Sequence, residues 1–181
     1  MIKKVTTLNT MLTIAADLRQ RGQRVVFTNG CFELLHVGHI RYLQAARALG
    51  DCLVVGLNSD SSVRTIKGPP RPLVPEMERA ELLAALGCVD YVVIFEEPTA
   101  EALVAALKPD VYVKGGDYTA ANGQQQAASE EQPGGTRLKI APEMRVVQEY
   151  GGQVVILPYS SGHSTTYLIE NILQSYGRPT T

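Results

Sequence analysis

Two kinds of apolar spacing take turns along the chain. Short unbroken runs at Val25-Val26-Phe27, Cys52 to Leu57, Tyr91 to Phe95, Val111 to Val113 and Val154 to Leu157 have the look of strands covered on both faces. Between them apolar residues recur at helical steps. Met11, Leu12, Ile14, Ala15 and Leu18 form one face, Leu34, Leu35, Ile40, Leu43 and Ala46 a second, and Leu82, Leu83, Ala85 and Leu86 a third. Pro98 to Leu107, Ala141 to Tyr150 and a last stretch with Leu168, Ile169, Ile172 and Leu173 supply further helices. Pro75 and Pro142 open helices, and Gly22, Gly50 and Gly151-Gly152 close them. Strand, helix, strand implies right-handed parallel crossovers. Five such steps predict an α/β fold: an open, mainly parallel, Rossmann-like sheet with helices on both faces.

Polar residues fall repeatedly just after the predicted strands, where ligands bind in open parallel sheets. After the first strand come Thr28, Asn29 and Gly30, then His36, Gly38 and His39. With a helix beginning near Val37, both imidazoles project to one side of its N-terminus, beside unpaired backbone N–H groups that attract anions. Gly38 removes a side chain where a phosphate would approach the backbone. Two of the chain's three histidines thus crowd one turn, which favours chemistry over simple capping. Zinc is discounted because Cys31, Cys52 and Cys88 are scattered.

After the second strand stand Asn58-Ser59-Asp60 and a basic Gly/Pro-rich stretch, Arg64 to Pro72, read as a loop that lets Lys67 and Arg71 fold over a triphosphate. Arg79 lies early in its helix, where cations are disfavoured, which points to a nearby anion. Lys114, Gly115, Gly116 and Asp117 follow the fourth strand. Gly162 to Thr166 precede the last helix, with hydroxyls suited both to capping and to holding phosphate. From Thr119 to Lys139 hardly a side chain exceeds alanine in apolar size, so this stretch is expected to be a mobile insert in one domain spanning 1–181.

Composition excludes several classes. A net charge of −1 leaves no global field for nucleic acid or an anionic membrane, and no apolar run approaches the roughly 20 residues of a spanning helix. Three cysteines make no disulfide framework, and no signal-like segment opens the chain, so a cytoplasmic location is expected. No G-x-G-x-x-G follows the first strand, and neither a Walker loop nor a G-x-S-x-G elbow occurs, against a dehydrogenase, a P-loop kinase and a hydrolase.

The stretch from Gly30 to His39 resembles the H-x-G-H signature of the nucleotidyltransferase superfamily that includes class I aminoacyl-tRNA synthetases. Asn58-Ser59-Asp60, Lys67-Gly68, Arg71-Pro72, Glu78-Arg79, Lys114 to Tyr118 and Gly162 to Thr166 narrow the likeness to sugar-phosphate nucleotidyltransferases of the heptose type. It runs from about residue 8 to 175, interrupted at 119–139, where members of that family are shorter. The likeness is to the adenylyltransferase domain of bifunctional heptose kinase/heptose 1-phosphate adenylyltransferases, without a kinase half. Glu33 departs from it, since an Asp is usual there.

The resemblance implies transfer of a nucleoside monophosphate, with ATP favoured, to heptose 1-phosphate, with Mg2+ on the nucleotide. His36, His39 and Lys67 would be catalytic. Thr28, Asn29, Gly30, Cys31, Phe32, Gly38, Arg79, Gly162, Ser164, Thr165 and Thr166 would surround the nucleotide, and Asn58, Asp60, Arg71, Lys114, Gly115 and Asp117 the sugar phosphate. Small-molecule substrates, a homo-oligomer such as a dimer, and a separate heptose kinase upstream are the partners expected. A glycerol 3-phosphate cytidylyltransferase-like enzyme and a non-catalytic nucleotide-binding module are the alternatives. A synthetase fragment is disfavoured by the neutral charge, the short chain and the lack of a KMSKS-like loop.

Overall fold

Apolar strands without alternation need cover on both sides, and the chain provides it. The computed structural model describes residues 4–116, 141–158 and 165–177. Six strands, β1 (Val5–Thr6), β2 (Val25–Gly30), β3 (Cys52–Asn58), β4 (Tyr91–Phe95), β5 (Val111–Gly115) and β6 (Gln153–Leu157), form one sheet in the order β1-β4-β3-β2-β5-β6. Every pairing is parallel. Helices α1 (Leu8–Gln20), α2 (Val37–Arg47), α3 (Asp60–Lys67), α4 (Glu76–Ala85), α5 (Glu101–Leu107) and α6 (Pro142–Glu149) connect the strands, and α7 (Thr165–Tyr176) follows β6.

Successive strand residues point to opposite faces, so the sheet divides the interior into two cores. Val25, Phe27, Cys52, Val54, Val93 and Tyr112 pack with Met11 and Ala15 of α1, Leu103, Val104 and Leu107 of α5, and Met144 and Val147 of α6. Val26, Leu53, Val55, Leu57, Val92, Val111 and Val113 pack with Leu43 and Ala46 of α2 and Ala80, Leu83 and Ala84 of α4. Gly56 is a glycine for want of room, since a Cβ there would lie 2.6 Å from Cζ of Phe27 on the neighbouring strand.

The two ends of the sheet hold different polar groups. At the amino end, the carboxylates of Asp51, Asp90 and Asp110 accept from the N–H groups of Arg24, Leu53 and Val25, at 2.8, 2.7 and 2.7 Å, each capping the first donors of an adjacent strand. At the carboxyl end, Lys67, Arg71, Arg79 and Lys114 follow the strands. The chain leaves β2 for β3 on one side and returns to β5 on the other, so the switch point of the sheet lies at the carboxyl ends of these central strands.

Three expectations need correction. The edge strand β1, two residues long, carries too little apolar signal to be foreseen. The helix expected from Pro98 begins only at Glu101. Asp60–Lys67, taken as part of a loop, is helix α3, capped by Ser59 Oγ accepting from Ser62 N at 3.1 Å, so Lys67 stands on the last turn of a helix. Asp117, Gly162, His163, Ser164, the side chain of Thr166 and the expected insert at 119–139 lie outside the described residues.

Candidate active site

The central strand β2 ends at Asn29-Gly30, and the backbone then turns through Phe32, whose φ of 42° is rare for a residue with a side chain. The turn lays the Phe32 ring over Gly30, where a Cβ would sit 3.1 Å from Phe32 Cε2. That ring is 5.4 Å from the ring of His39, and the rings of His36 and His39 stack at 3.9 Å with an interplanar angle of 27°. His36 is the N-cap of α2: its carbonyl accepts from His39 N at 2.9 Å while its side chain makes no capping bond. The imidazoles therefore lie together over the first turn that holds Gly38, at the positive end of the helix.

Burial first, then the neighbouring His36 and Lys67, push the His39 imidazole down to about 4. It is neutral near pH 7, and its buried Nδ1 has no hydrogen-bond partner among the described residues. The consequence for stability has a definite sign. The unfolded chain takes up a proton near the ordinary value of 6.5 and the folded chain only near 4, so protonation favours unfolding between them. Stability is expected to fall as pH drops from about 6.5 to about 4. His39→Gln should flatten that part of the curve in urea titrations at stepped pH; an unaltered slope would assign it to other groups.

Beneath the histidines lies a buried brace. Tyr42 OH on α2 donates to Val113 O at 3.0 Å, so Thr28 Oγ1, 2.7 Å away, donates to Tyr42. Thr28 is fully buried and joins β2, α2 and β5, so the nucleotide contact expected of it is corrected to a supporting one. Asn29 Oδ1 accepts from Tyr112 OH at 2.8 Å, which fixes the amide at the end of β2.

The largest fully buried side chain is Arg79, at 0% exposure. Its Nε donates to Val74 O at 2.9 Å, Nη1 to Cys31 O at 2.6 Å and Asn58 O at 2.9 Å, and Nη2 to Asp60 Oδ1 at 2.8 Å. The anion that its position in the sequence pointed to is the carboxylate of Asp60. Arg79 ties the ends of β2 and β3 to the segment before α4. Asn58, also buried, donates through Nδ2 to Ser62 Oγ at 2.9 Å. Of these three residues, expected to face ligands, Arg79 and Asn58 are buried and Asp60 is half-buried, and their hydrogen bonds join the strand ends beside the site.

Beside them lies residue pair chemistry that sequence spacing did not reveal. Glu33, whose side chain is 1% exposed, accepts from Arg71 Nη1 at 2.7 Å and from Leu73 N at 2.6 Å, with Lys67 Nζ at 3.6 Å. Burial alone would raise its carboxyl; the Arg71 and Leu73 hydrogen bonds and the charges of Arg71 and Lys67 outweigh this and hold it below the usual carboxylate value. Lys114 and Gly115 end β5 next to the switch point, half-buried. The cations converge near Cys31: burial raises its thiol, against the pull of Lys67, Arg79 and Lys114. Thr165 begins α7.

A histidine pair at a helix N-terminus, with lysine and arginine groups near it, can hold a polyanion and donate hydrogen bonds to charge that grows on it. Among the described residues no group of three or more His, Cys, Asp or Glu could hold a metal ion, and no helix is long and apolar enough to cross a membrane.

Comparison with known proteins shows the family. Residues 27–171 match the family described as cytidylyltransferase-like. The chain is 50% identical over 173 residues to the Bifunctional protein HldE of Trichlorobacter lovleyi, covering 96% of this chain and 32% of that one. With the protein of the same name from Syntrophotalea carbinolica it shares 53% over 158 residues, 87% of this chain and 29% of the other. The chain thus spans about a third of the length of the curated relatives it matches. Among solved structures, the lipopolysaccharide core biosynthesis protein from Thermoplasma volcanium is 27% identical with a TM-score of 0.54, over 77% of this chain and 98% of that one. A pantoate-beta-alanine ligase from Francisella tularensis, complexed with beta-gamma ATP and beta-alanine, has a TM-score of 0.56 at 14% identity, over 97% of this chain and 79% of that one. The second likeness is one of fold alone.

Proposed function

The chain belongs to the cytidylyltransferase-like family, and from that premise we propose that it transfers AMP from ATP to a heptose 1-phosphate, giving ADP-heptose and pyrophosphate. The observation that carries the reading is the stacked His36–His39 pair at the N-terminus of α2, with Lys67 near His39 and both Lys67 and Arg71 drawn to Glu33 on the same turn. The resemblance in the Gly30 to His39, Lys114 to Tyr118 and Ser164 to Thr166 stretches supports the choice of substrates.

A phosphate oxygen of the sugar 1-phosphate attacks the α-phosphorus of ATP in line. The new phosphorus–oxygen bond forms as the bond to the bridging oxygen breaks, and pyrophosphate leaves with that electron pair. The nucleophile is already an anion, so no general base is needed; the protein positions two mutually repelling anions and stabilises charge that spreads over the α-phosphate. His36 and His39 suit this as hydrogen-bond donors, since a ring N–H can donate to a phosphoryl oxygen and the His39 ring does so in its neutral form near pH 7. Lys67 and Arg71 hold the triphosphate, and Lys114 the sugar phosphate. Mg2+ screens the phosphates when bound. Such a cation would come carried on the nucleotide.

The matched relatives are named bifunctional and are about three times as long as this chain. Pyrophosphate release, followed across the four nucleoside triphosphates with heptose 1-phosphate anomers and glycerol 3-phosphate, tests the reading. Release is expected with ATP and one heptose 1-phosphate anomer, favoured over other bases by as much as roughly 10⁴ where the base is hydrogen-bonded. Release only with CTP and glycerol 3-phosphate would replace these substrates, and no release from any pair would leave a binding module.

A further inference from the structure

We propose that Glu33 is a positioning residue: its buried carboxylate holds Lys67, Arg71 and the Leu73 amide in one arrangement, so that two cations reach the histidine turn already placed for the transferring phosphate. The proposal rests on the nucleotidyltransferase reading and goes beyond it, since the role falls to a residue at which the chain departs from the family it resembles.

Three observations support it. Glu33 lies on the turn that links β2 to the histidines, three residues before His36, so its backbone is fixed by the same segment that sets the imidazoles. Its partners arrive from elsewhere in the chain, Lys67 from the last turn of α3 and Arg71 and Leu73 from the segment between α3 and α4. One oxygen, Oε2, meets Arg71 and faces Lys67, while Oε1 takes the Leu73 N–H, so the carboxylate joins two elements through both of its oxygens. Lys67 and Arg71 nevertheless remain 39% and 25% exposed in their side chains. Cations held at one edge and open at another can meet a phosphate without first being ordered, which removes an entropic cost from the reactive complex.

Burying a carboxylate is costly unless charges and hydrogen bonds compensate it. Among the described residues both acceptor oxygens of Glu33 are spent on the segment that carries the candidate phosphate ligands. Glutamate has the reach to span Arg71 and the Leu73 amide together, and aspartate, one methylene shorter on the same backbone, would have to give up part of that set.

The experiment compares Glu33→Gln and Glu33→Asp in the full chain, alone and with Lys67→Ala/Arg71→Ala, reading kcat and KM for ATP by pyrophosphate release and hydrogen exchange at the Leu73 amide. Glu33→Gln should lower kcat by about 10²-fold, the scale of a small misplacement, with KM changed by less than about threefold. Glu33→Asp should recover part of the loss. In the Lys67→Ala/Arg71→Ala background Glu33→Gln should add almost nothing, because it acts through those side chains. Leu73 exchange should quicken in Glu33→Gln. Full multiplicative losses in both backgrounds, unaltered turnover or unaltered Leu73 exchange would each overturn the proposal. If the native chain releases no pyrophosphate from any pair, the enzyme reading fails separately, and Leu73 exchange still decides: quickened exchange supports the clasp and unchanged exchange removes it.

Discussion

Replacing His39 with alanine is expected to lower kcat by about 10² to 10³ while leaving KM for ATP nearly unchanged, the loss typical of one donor aimed at charge that develops only in the transition state. The geometry makes the test clean. Buried Nδ1 has no hydrogen-bond partner among the described residues, so its removal orphans no described neighbour. What is lost structurally is contact with the rings of His36 and Phe32, roughly 1 to 3 kcal/mol if each ring pair contributes about 0.5 to 1.5. A folded variant with slow turnover is therefore the outcome expected. Unaltered kcat with a raised KM would move His39 from catalysis to ground-state binding. Because the imidazole is neutral well below pH 7, turnover should also persist from about pH 8 to pH 5 without a step from His39.

Arg79→Ala should instead act on the fold. The guanidinium satisfies three backbone carbonyls and one carboxylate from the centre of the molecule, and alanine would leave Val74 O, Cys31 O, Asn58 O and Asp60 without their donor. Removing one partner of a buried ion pair costs about 3 to 5 kcal/mol. In a chain of this size each kcal/mol lowers Tm by roughly 2 to 4 °C, so a drop on the order of 10 °C is expected by calorimetry. Arg79→Lys should recover little, since a single ammonium cannot reach partners on four sides as a planar fork does. A Tm within a degree or two of the native chain would show that water can replace this hub.

How much of this the sequence disclosed depends on the range of the interactions. Strands such as Tyr91–Phe95 were legible because burial on both faces leaves an unbroken apolar run, and the start of α2 at Val37 because a glycine-bearing polar turn separates it from β2. The histidine pair was legible for the same local reason. Helix α3 was not, because it buries only Ser62 and Val63 and exposes Arg64, Thr65, Ile66 and Lys67, so its composition reads as a basic loop. Thr28, Asn58, Asp60 and Arg79 could be read only from their place after a strand end or early in a helix, whereas their partners are set by the fold: Arg79 meets Cys31 across 48 residues, and in the same way Glu33 meets Leu73 across 40. Polar residues after a strand end announce a site, and the same signal cannot tell the groups that touch a ligand from those that hold the others still.

The division of the interior by the sheet has a practical side. The histidine turn, through Phe32 and Leu35, and α4 rest against the core shared with α2, whereas α1, α5 and α6 close the opposite face and, among the described residues, lend no side chain to the cluster of histidines and cations. Damage on that far side reaches the chemistry only by thinning the population of folded molecules, and cooling can restore it. Damage on the near side changes what each folded molecule does, and no change of temperature brings it back. Growth of a dependent cell at two temperatures would therefore sort variants of this chain by face, with no purified protein in hand.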